Sequence, residues 1–558
     1  MNKDKEPVNP HHFHIPVMGL AFTVDTPIKV AKYGIDSVVS VIENKMLEHL
    51  RKKISAQYSM AYSPIDESIE DYKAKRITAY LNLLNNVVEI QFNKMLEGNF
   101  ETNVELNNYF KFLPDDSLLK ETYQNLKFSS GDEKIKLEAL LKSQMKPGSI
   151  DINIMTKVDK LNYSKNNEPL PVEFSDALTC LRGYANSDLT SSVVLSAGIN
   201  PRLYSYFETF SDFYPDSYGN LKKKIIVKVS DYRSALIQGK FLAKKGLWVS
   251  EFRIESGLNC GGHAFATEGI LLGPILEEFK LNKNNLIEEL FTIVNKALET
   301  NGKKTFAQKP NLRITAQGGV GTSEEASFLI ENYNLDSIGW GSPFLLVPEV
   351  TNVDPETLEN LATASPQDYY LSHASPLGVP FNNFRKSSFI ALKNKRIEDG
   401  KSGSPCVVKL LQFDTEFTTM PICTASKKYQ KLKLKQLKET ALSQYEYDEK
   451  SQKILEKECL CEGLAAPALI NNNIKCNQAV TICPGPNLAF FSGTFTLENM
   501  INHIYGRLNI LNNLKRPNLF INELNLYLNY FKTEVVNNEN IKDIQKINFK
   551  KNLQLGID

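Results

Sequence analysis

Three glycine-bearing segments carry the residue types that could hold a phosphate or move a proton. The first, Ile314 to Ala326, reads Ile-Thr-Ala-Gln-Gly-Gly-Val-Gly-Thr-Ser-Glu-Glu-Ala. Gln317, Gly318 and Gly319 end an apolar run there, and Ser323 is the expected N-cap of a helix with Glu324 and Glu325 in its first turn. Glycines let the backbone approach an anion closely, and N–H groups at a helix start favour phosphate. The second segment, Ser337 to Leu345, offers Gly339, Gly341 and the hydroxyl of Ser342. Taken alone, the first reads equally well as a glycine-rich turn without a ligand, but two such strand ends in succession make a stronger case for one mononucleotide phosphate between them. In the third, Asn259 to Phe265, His263 directly follows Gly261 and Gly262. An imidazole titrates near neutral pH and can abstract or deliver a proton, although a lone histidine is more often structural.

Such residues need strands that end beside them. Strand-like runs are expected at Ile15 to Met18, Val38 to Ile42, Asp151 to Met155, Ser191 to Ser196, Ile225 to Ser230, Leu247 to Ile254, Arg313 to Ala316 and Asp336 to Trp340. Helical stretches separate them, with one expected over Tyr232 to Lys245. This alternation predicts an α/β fold, a (β/α)8 TIM barrel, with an open doubly wound sheet as the rival. In a barrel the strand C-termini carry the chemistry, and phosphate is commonly held after strands 7 and 8. The divisions expected are 1–45 for the first barrel strand and helix, 46–148 for a helical insertion after the first strand, 149–380 for the remaining barrel, and 381–558 for a cysteine-containing, largely helical extension. Within the extension, Leu497 to Leu514 and Asn518 to Tyr530 look helical.

The chain has 558 residues, 42% hydrophobic and 23% charged, with a formal net charge of +1. That balance is an ordinary globular one, and nucleic acid is not indicated. No signal-like or membrane-spanning run is visible, so a cytoplasmic protein without disulfides is expected.

The ordered set of motifs resembles the flavin-barrel family of nitronate monooxygenases and the related flavin-dependent enoyl reductases. Pro16, Val17, Met18 and Gly19 match the family's first strand end. Cys260, Gly261, Gly262 and His263 match its Ala-Gly-Gly-His motif. Gly318, Gly319 and Val320, then Gly341, Ser342, Pro343, Phe344 and Leu345, match its two phosphate loops, and Glu349 falls where the family often has a glutamate. Val193 to Tyr206 resembles its middle strand and following helix. The likeness covers residues 14–45 and 150–350. It implies noncovalent FMN over Met18 and Gly19, the FMN phosphate on the two glycine loops, and His263 near the flavin as base or proton donor. Lys228, inside Ile225 to Ser230, is positioned either to face the flavin or, equally, to point to solvent. Cys260 stands where the family has alanine, Ser342 where it has threonine, and both additions are large, which leaves the substrate open.

Six cysteines crowd between Cys406 and Cys483. Cys406, Cys423, Cys459, Cys461 and Cys483 are the better candidate ligands, several of them in Pro- or Gly-rich contexts; Cys476 is the poorest. An iron–sulfur cluster beside a flavin would suit an all-cysteine set. Structural zinc and no metal are the alternatives, and the spacing fits no standard pattern. His11, His12 and His14 are read as lying at a mobile end, and His373 as a loop residue.

The expected activity is therefore an FMN-dependent oxidoreductase of the nitronate monooxygenase type acting on a small activated carbon acid. An NAD(P)H-dependent flavin enoyl-thioester reductase is the first alternative; beside the small-molecule substrate, NAD(P)H or an electron-transfer partner is the candidate partner. The second keeps the flavin barrel as a scaffold whose extension binds a carrier protein or RNA.

Overall fold

The computed structural model describes residues 9–164, 166–259, 268–536, 538 and 541–558. Eight short strands take up the expected runs: β1 (Phe13–Ile15), β2 (Asp36–Ser40), β3 (Ile150–Ile154), β4 (Ser191–Leu195), β5 (Lys223–Val229), β6 (Val249–Glu255), β7 (Arg313–Gln317) and β8 (Ser337–Gly339). Each pairs in parallel with the next, and β8 returns to β1, closing a (β/α)8 TIM barrel. Parallel pairing demands a crossover after every strand. Helices such as Asp176–Ala185, Tyr232–Ala243, Leu272–Thr300 and Ser323–Tyr333 supply crossovers. They cover the outward residues, among them Ile152, Val193, Val227, Phe252 and Ile314, all buried.

Side chains alternate along a strand, so the other set faces the barrel interior. There Val38, Val194 and Ile226 form a small apolar cluster of their own. The β6–β7 side is charged instead. Arg253 donates to Glu251 Oε1 through Nε at 2.8 Å, and the Thr315 hydroxyl donates to the same oxygen at 2.7 Å. Burial opposes the Glu251 carboxylate, but Arg253 and Arg313 outweigh it and hold its pKa at about 2. A buried charge persists only when paired and hydrogen-bonded in this way.

The additions differ from the sequence reading in detail. Val38 and Val39 belong to β2, which pairs with both β1 and β3, so the helical insertion follows the second strand, not the first. It comprises Asn44–Gln57, Tyr72–Glu97, Val104–Phe112, Leu118–Leu126 and Gly131–Gln144. The Tyr72–Glu97 helix packs on the barrel helix Asp176–Ala185 and so serves as part of the outer ring. β1 begins at Phe13 rather than Ile15, because its inward position is the polar His14. After the barrel comes an antiparallel pair that the sequence did not announce, β9 (Tyr369–Ser372) with β10 (Phe381–Phe384). The extension then alternates helices with long irregular chain. The Leu497–Ile504 helix stops well before Leu514, since Gly506 adopts a left-handed conformation at φ +74°. Among the described residues no helix is long and apolar enough to cross a membrane.

Candidate functional site

The strand ends of β5 to β8 and β1 bring an arc of polar side chains together. Lys228, the last inward residue of β5, pairs with Glu255 of β6 at 3.1 Å. Gln317 of β7 and Asn259, just beyond β6, donate to the same Glu255 Oε1 at 2.8 and 2.7 Å. One carboxylate oxygen thus collects donors from three parts of the barrel, which offsets the cost of burying it. Across the arc, His14 Nδ1 meets Ser337 Oγ at 3.2 Å. Burial, then the positive charge of Arg253, hold the His14 pKa well below its usual value, so the imidazole is neutral at pH 7. Gln317 lies beside this ring, yet neither His14 Nε2 nor Gln317 Oε1 has a well-formed hydrogen bond. Asn153 Oδ1, on the inner side of β3, is also buried without one.

Glycine makes the surroundings possible. A Cβ on Gly339 would stand 2.9 Å from His14 Nε2 and 2.6 Å from Gln317 Cβ. Gly318 and Gly319 have φ of +108° and +86°, and a Cβ on Gly319 would meet Leu258 at 2.6 Å. At the first strand end, the buried Met18 donates its N–H to Thr23 Oγ1 at 3.2 Å, and Gly19 turns the chain away at φ +54°. Gly341 precedes the 3-10 turn Ser342–Leu346.

The extension lies across this face. Gly485 N donates to Ser342 Oγ at 2.9 Å, and Asn382 Nδ2 donates to the Asn259 carbonyl at 3.1 Å. Asn487 Nδ2 reaches the Val320 carbonyl at 3.0 Å. Arg516 donates to the Gly319 carbonyl at 2.8 Å and forks onto Glu325 at 2.6 and 2.9 Å. Glu325 also accepts from Gly321 N at 2.9 Å. The helix after β7 is capped by Thr322, whose hydroxyl accepts from Glu325 N at 3.2 Å. Ser323, the expected cap, is instead the first helical residue. Glu349 accepts the N–H of Leu497 at 3.1 Å, steadying the start of an extension helix.

Several of these groups have the hydrogen-bonding chemistry that a flavin would use. Gln317 Oε1 and His14 Nε2 are buried groups with hydrogen-bonding capacity to spare, Lys228 is a donor, and a flavin ring edge offers carbonyls and an N–H. Gly318 and Gly319 keep Cβ atoms out of the loop after β7. Ser342, although it accepts from Gly485, retains its O–H to donate.

Of the expected site residues, Lys228, Gln317, Gly318, Gly319, Gly339, Gly341 and Ser342 converge at these strand ends, while Cys260, Gly261, Gly262 and His263 lie outside the described residues. Lys228 faces inward, not to solvent. The His11–His14 tract is not a mobile end: His11 and His14 are buried, and His11 Nε2 bonds the Tyr33 carbonyl at 3.0 Å. His373 is half exposed beside Glu534 at 3.1 Å. Four cysteines, Cys406, Cys423, Cys459 and Cys461, approach one another in the extension, each buried and in no disulfide. Among the described residues no group of three or more His, Cys, Asp or Glu that could hold a metal ion is found. Cys483 belongs to the Pro-Gly segment on the strand-end face. Sequence reasoning missed His14, Glu255 and Asn259, whose signal was strand parity, and Arg516, which gave none.

No family model and no curated protein matches this chain. Among solved structures it is similar to FabK from Thermotoga maritima, at 12% identity and a TM-score of 0.32, covering 68% of this chain and 81% of that one. The enoyl reductase domain of MlnA from the macrolactin cluster of Bacillus amyloliquefaciens is 16% identical with a TM-score of 0.33, covering 79% and 86%. Nitroalkane oxidase from Streptomyces ansochromogenes is 8% identical with a TM-score of 0.35, covering 90% and 95%. Superpositions this loose carry no argument about activity, and the site must speak through its own residues.

Proposed function

We propose that this protein is an FMN-dependent oxidoreductase of the nitronate monooxygenase type, acting on a small activated carbon acid. The observation that carries the reading is the arc His14–Gln317–Glu255–Lys228 at the strand ends, bounded by Gly318, Gly319, Gly339 and Gly341. FMN, when bound, supplies the exchange of electrons with the substrate. The chain's residues do the rest. Lys228 places a positive charge at the strand-end face, and Glu255 fixes its position while orienting the Gln317 amide. Ser342 and the loop at Gly318 and Gly319 take the phosphate. His14, neutral and buried, offers Nε2 as a hydrogen-bonding group rather than a charge. His263 handles the substrate proton, as the family resemblance implies. The extension segments at Asn382 and Gly485 keep water from the loops they cover.

The test is an anaerobic absorbance spectrum of the purified chain, with analysis of the released cofactor. Oxidised-flavin bands with FMN freed on denaturation are expected, and Lys228→Met should weaken FMN retention. A colourless protein that cannot be reconstituted with FMN overturns the proposal. Nitronate should be consumed with dioxygen in the absence of nicotinamide; stoichiometric NADPH consumption with an enoyl thioester would instead select the reductase.

A further inference from the structure

One helix of the extension carries charge that the fold itself does not use. It runs Lys427–Lys438 and reads Lys-Lys-Tyr-Gln-Lys-Leu-Lys-Leu-Lys-Gln-Leu-Lys. At about 100° per residue, Lys427, Lys438, Lys431, Lys435 and Lys428 fall in that angular order on one arc about 100° wide. All five are exposed. Of these, among the described residues, only Lys435 has an ion pair, a loose one with the exposed Glu439 at 3.8 Å. The sixth lysine, Lys433, lies on the other flank and donates to Glu416 Oε1 at 2.6 Å. The helix is anchored elsewhere: Ser426 Oγ accepts the Tyr429 N–H at 3.2 Å, and the buried Gln430 donates to the Ile454 carbonyl at 3.1 Å.

The lysine arc works against its own helix. Lysines four apart, as at Lys427, Lys431 and Lys435, repel one another along a face. Lys427 and Lys428 also occupy a first turn that holds no acidic residue, at the positive end of the helix dipole. A face that costs its helix stability and meets one distant carboxylate within the fold is complementary to negative charge outside it. Positive charge is gathered here: residues 385–440 hold thirteen Lys and Arg against five Asp and Glu, in a chain of net charge +1.

The surroundings select among negatively charged partners. An anionic membrane needs apolar side chains to enter its headgroup layer, but Leu432, Leu434 and Leu437 are half-buried. A single nucleic-acid strand needs rings on which bases stack, and the one aromatic residue of the helix, Tyr429, donates instead to Glu416 Oε2 at 3.1 Å. A duplex is a long rod of phosphate, whereas the arc spans about 18 Å. The chain beyond it exposes the carboxylates of Glu439, Glu446 and Glu449. A second helix has the matching form. Carboxylates at i, i+4, i+8 and i+11 repeat the intervals of Lys427, Lys431, Lys435 and Lys438.

We propose that the lysine face of the Lys427–Lys438 helix is a docking surface for a partner protein that presents an acidic helix, with carboxylates at those intervals. The lysines steer the partner and set its register, and the contact weakens as salt screens it. The surface is independent of what the barrel strand ends bind.

Fluorescence anisotropy on the full-length protein at low ionic strength tests this with three labelled probes. The first is an alanine-based peptide helix with glutamates at i, i+4, i+8 and i+11. The second has the same composition with its glutamates spread around the helix, and the third is a short RNA duplex. The row peptide should bind about tenfold more tightly than the spread one and be released as salt rises. Lys431→Glu/Lys435→Glu should weaken the row peptide about tenfold and should instead bind a peptide with lysines in place of its glutamates. Alternating charge along the face favours the helix, so the melting temperature of this variant should not fall. Lys136→Glu, an exposed reversal on the insertion, should leave binding unchanged. Equal binding of the two peptides overturns the proposal, as does a double variant that keeps full affinity. Duplex RNA that stays bound at physiological salt while the row peptide is released also overturns it, and gives the face to nucleic acid.

Discussion

The two large additions to the barrel share its apolar core but differ in the polar contacts they make to it. The insertion after β2 joins through an apolar stripe: Ile77, Leu81, Leu84 and Val88 of the Tyr72–Glu97 helix are buried in the main core. The extension is also buried in that core, through residues such as Leu464, Ile482, Leu488, Phe491, Met500 and Leu519, but it adds directional hydrogen bonds to the strand-end loops. Glu523 accepts from Ser256 Oγ, Gly257 N and Leu272 N at 2.7, 3.2 and 2.7 Å, while Arg516 ties Glu325 to Gly319. Apolar packing tolerates small shifts and contributes mainly stability, whereas oriented polar contacts fix loop geometry. The insertion should therefore matter to folding and the extension to the site. Arg507 links them, donating to Asp115 at 3.0 Å.

The sharpest test of that difference is Arg516→Leu. It strands the half-buried Glu325 and releases the loop after β7, and should cost about 4 kcal/mol, the scale for breaking a buried ion pair. Thermal unfolding should show this loss together with weakened FMN retention; retention unchanged would end the distinction. Leu84→Ala comes next, at about 3 kcal/mol for a fully buried leucine. Here a lowered denaturation midpoint should leave FMN affinity as it was.

Acid and alkali should separate the two attachments. Burial raises the Glu523 pKa above 4.5, against the bonds from Leu272, Ser256 and Gly257. Its folded pKa being raised, its contribution is fully present below pH 4.5 and is lost as pH rises through the folded value. For Glu48 in the insertion burial works the same way, but hydrogen bonds from Arg51, Ile65 and Tyr62 outweigh it and bring the pKa below 4.5. Its contribution is present above pH 4.5 and is lost as pH falls through the lowered value. Hydrogen exchange should show the Leu519–Tyr530 helix loosening as pH rises from 4.5 through the raised Glu523 value and the Asn44–Gln57 helix as pH falls below 4.5, and Glu523→Gln should abolish only the former. The smallest effect belongs to Tyr80→Phe, which removes the hydroxyl bonded to the Val24 carbonyl at 3.0 Å. It should cost about 1 kcal/mol in chemical denaturation.

The same contrast explains what the sequence disclosed. The eight strands were legible because β-branched runs such as Ser191–Leu195 and Lys223–Val229 alternate with helical periodicity. The glycine pairs at Gly318 and Gly319 were legible because only glycine suits their backbone. β1 was read two residues late, since an inward histidine interrupts its apolar pattern. The roles of Gly485, Arg516 and Glu523 were hidden, because each bonds a residue far away in the chain and nothing local records it. Likewise the backbone clamps at Ser404 and Asp414, which order the chain around two of the crowded cysteines, have no sequence signature.

The order in which the chain emerges during synthesis gives the late position of Arg516 and Glu523 a further meaning. The last barrel strand ends at Gly339, but the groups that fix its loops are made afterwards. A nascent barrel can close its ring of strands while its strand-end loops still lack their partners, so the site is completed only after Arg516 and Glu523 have emerged. A ribosome stalled before residue 516 would display a formed barrel whose face is still open, a natural point for a chaperone or for the cofactor to enter.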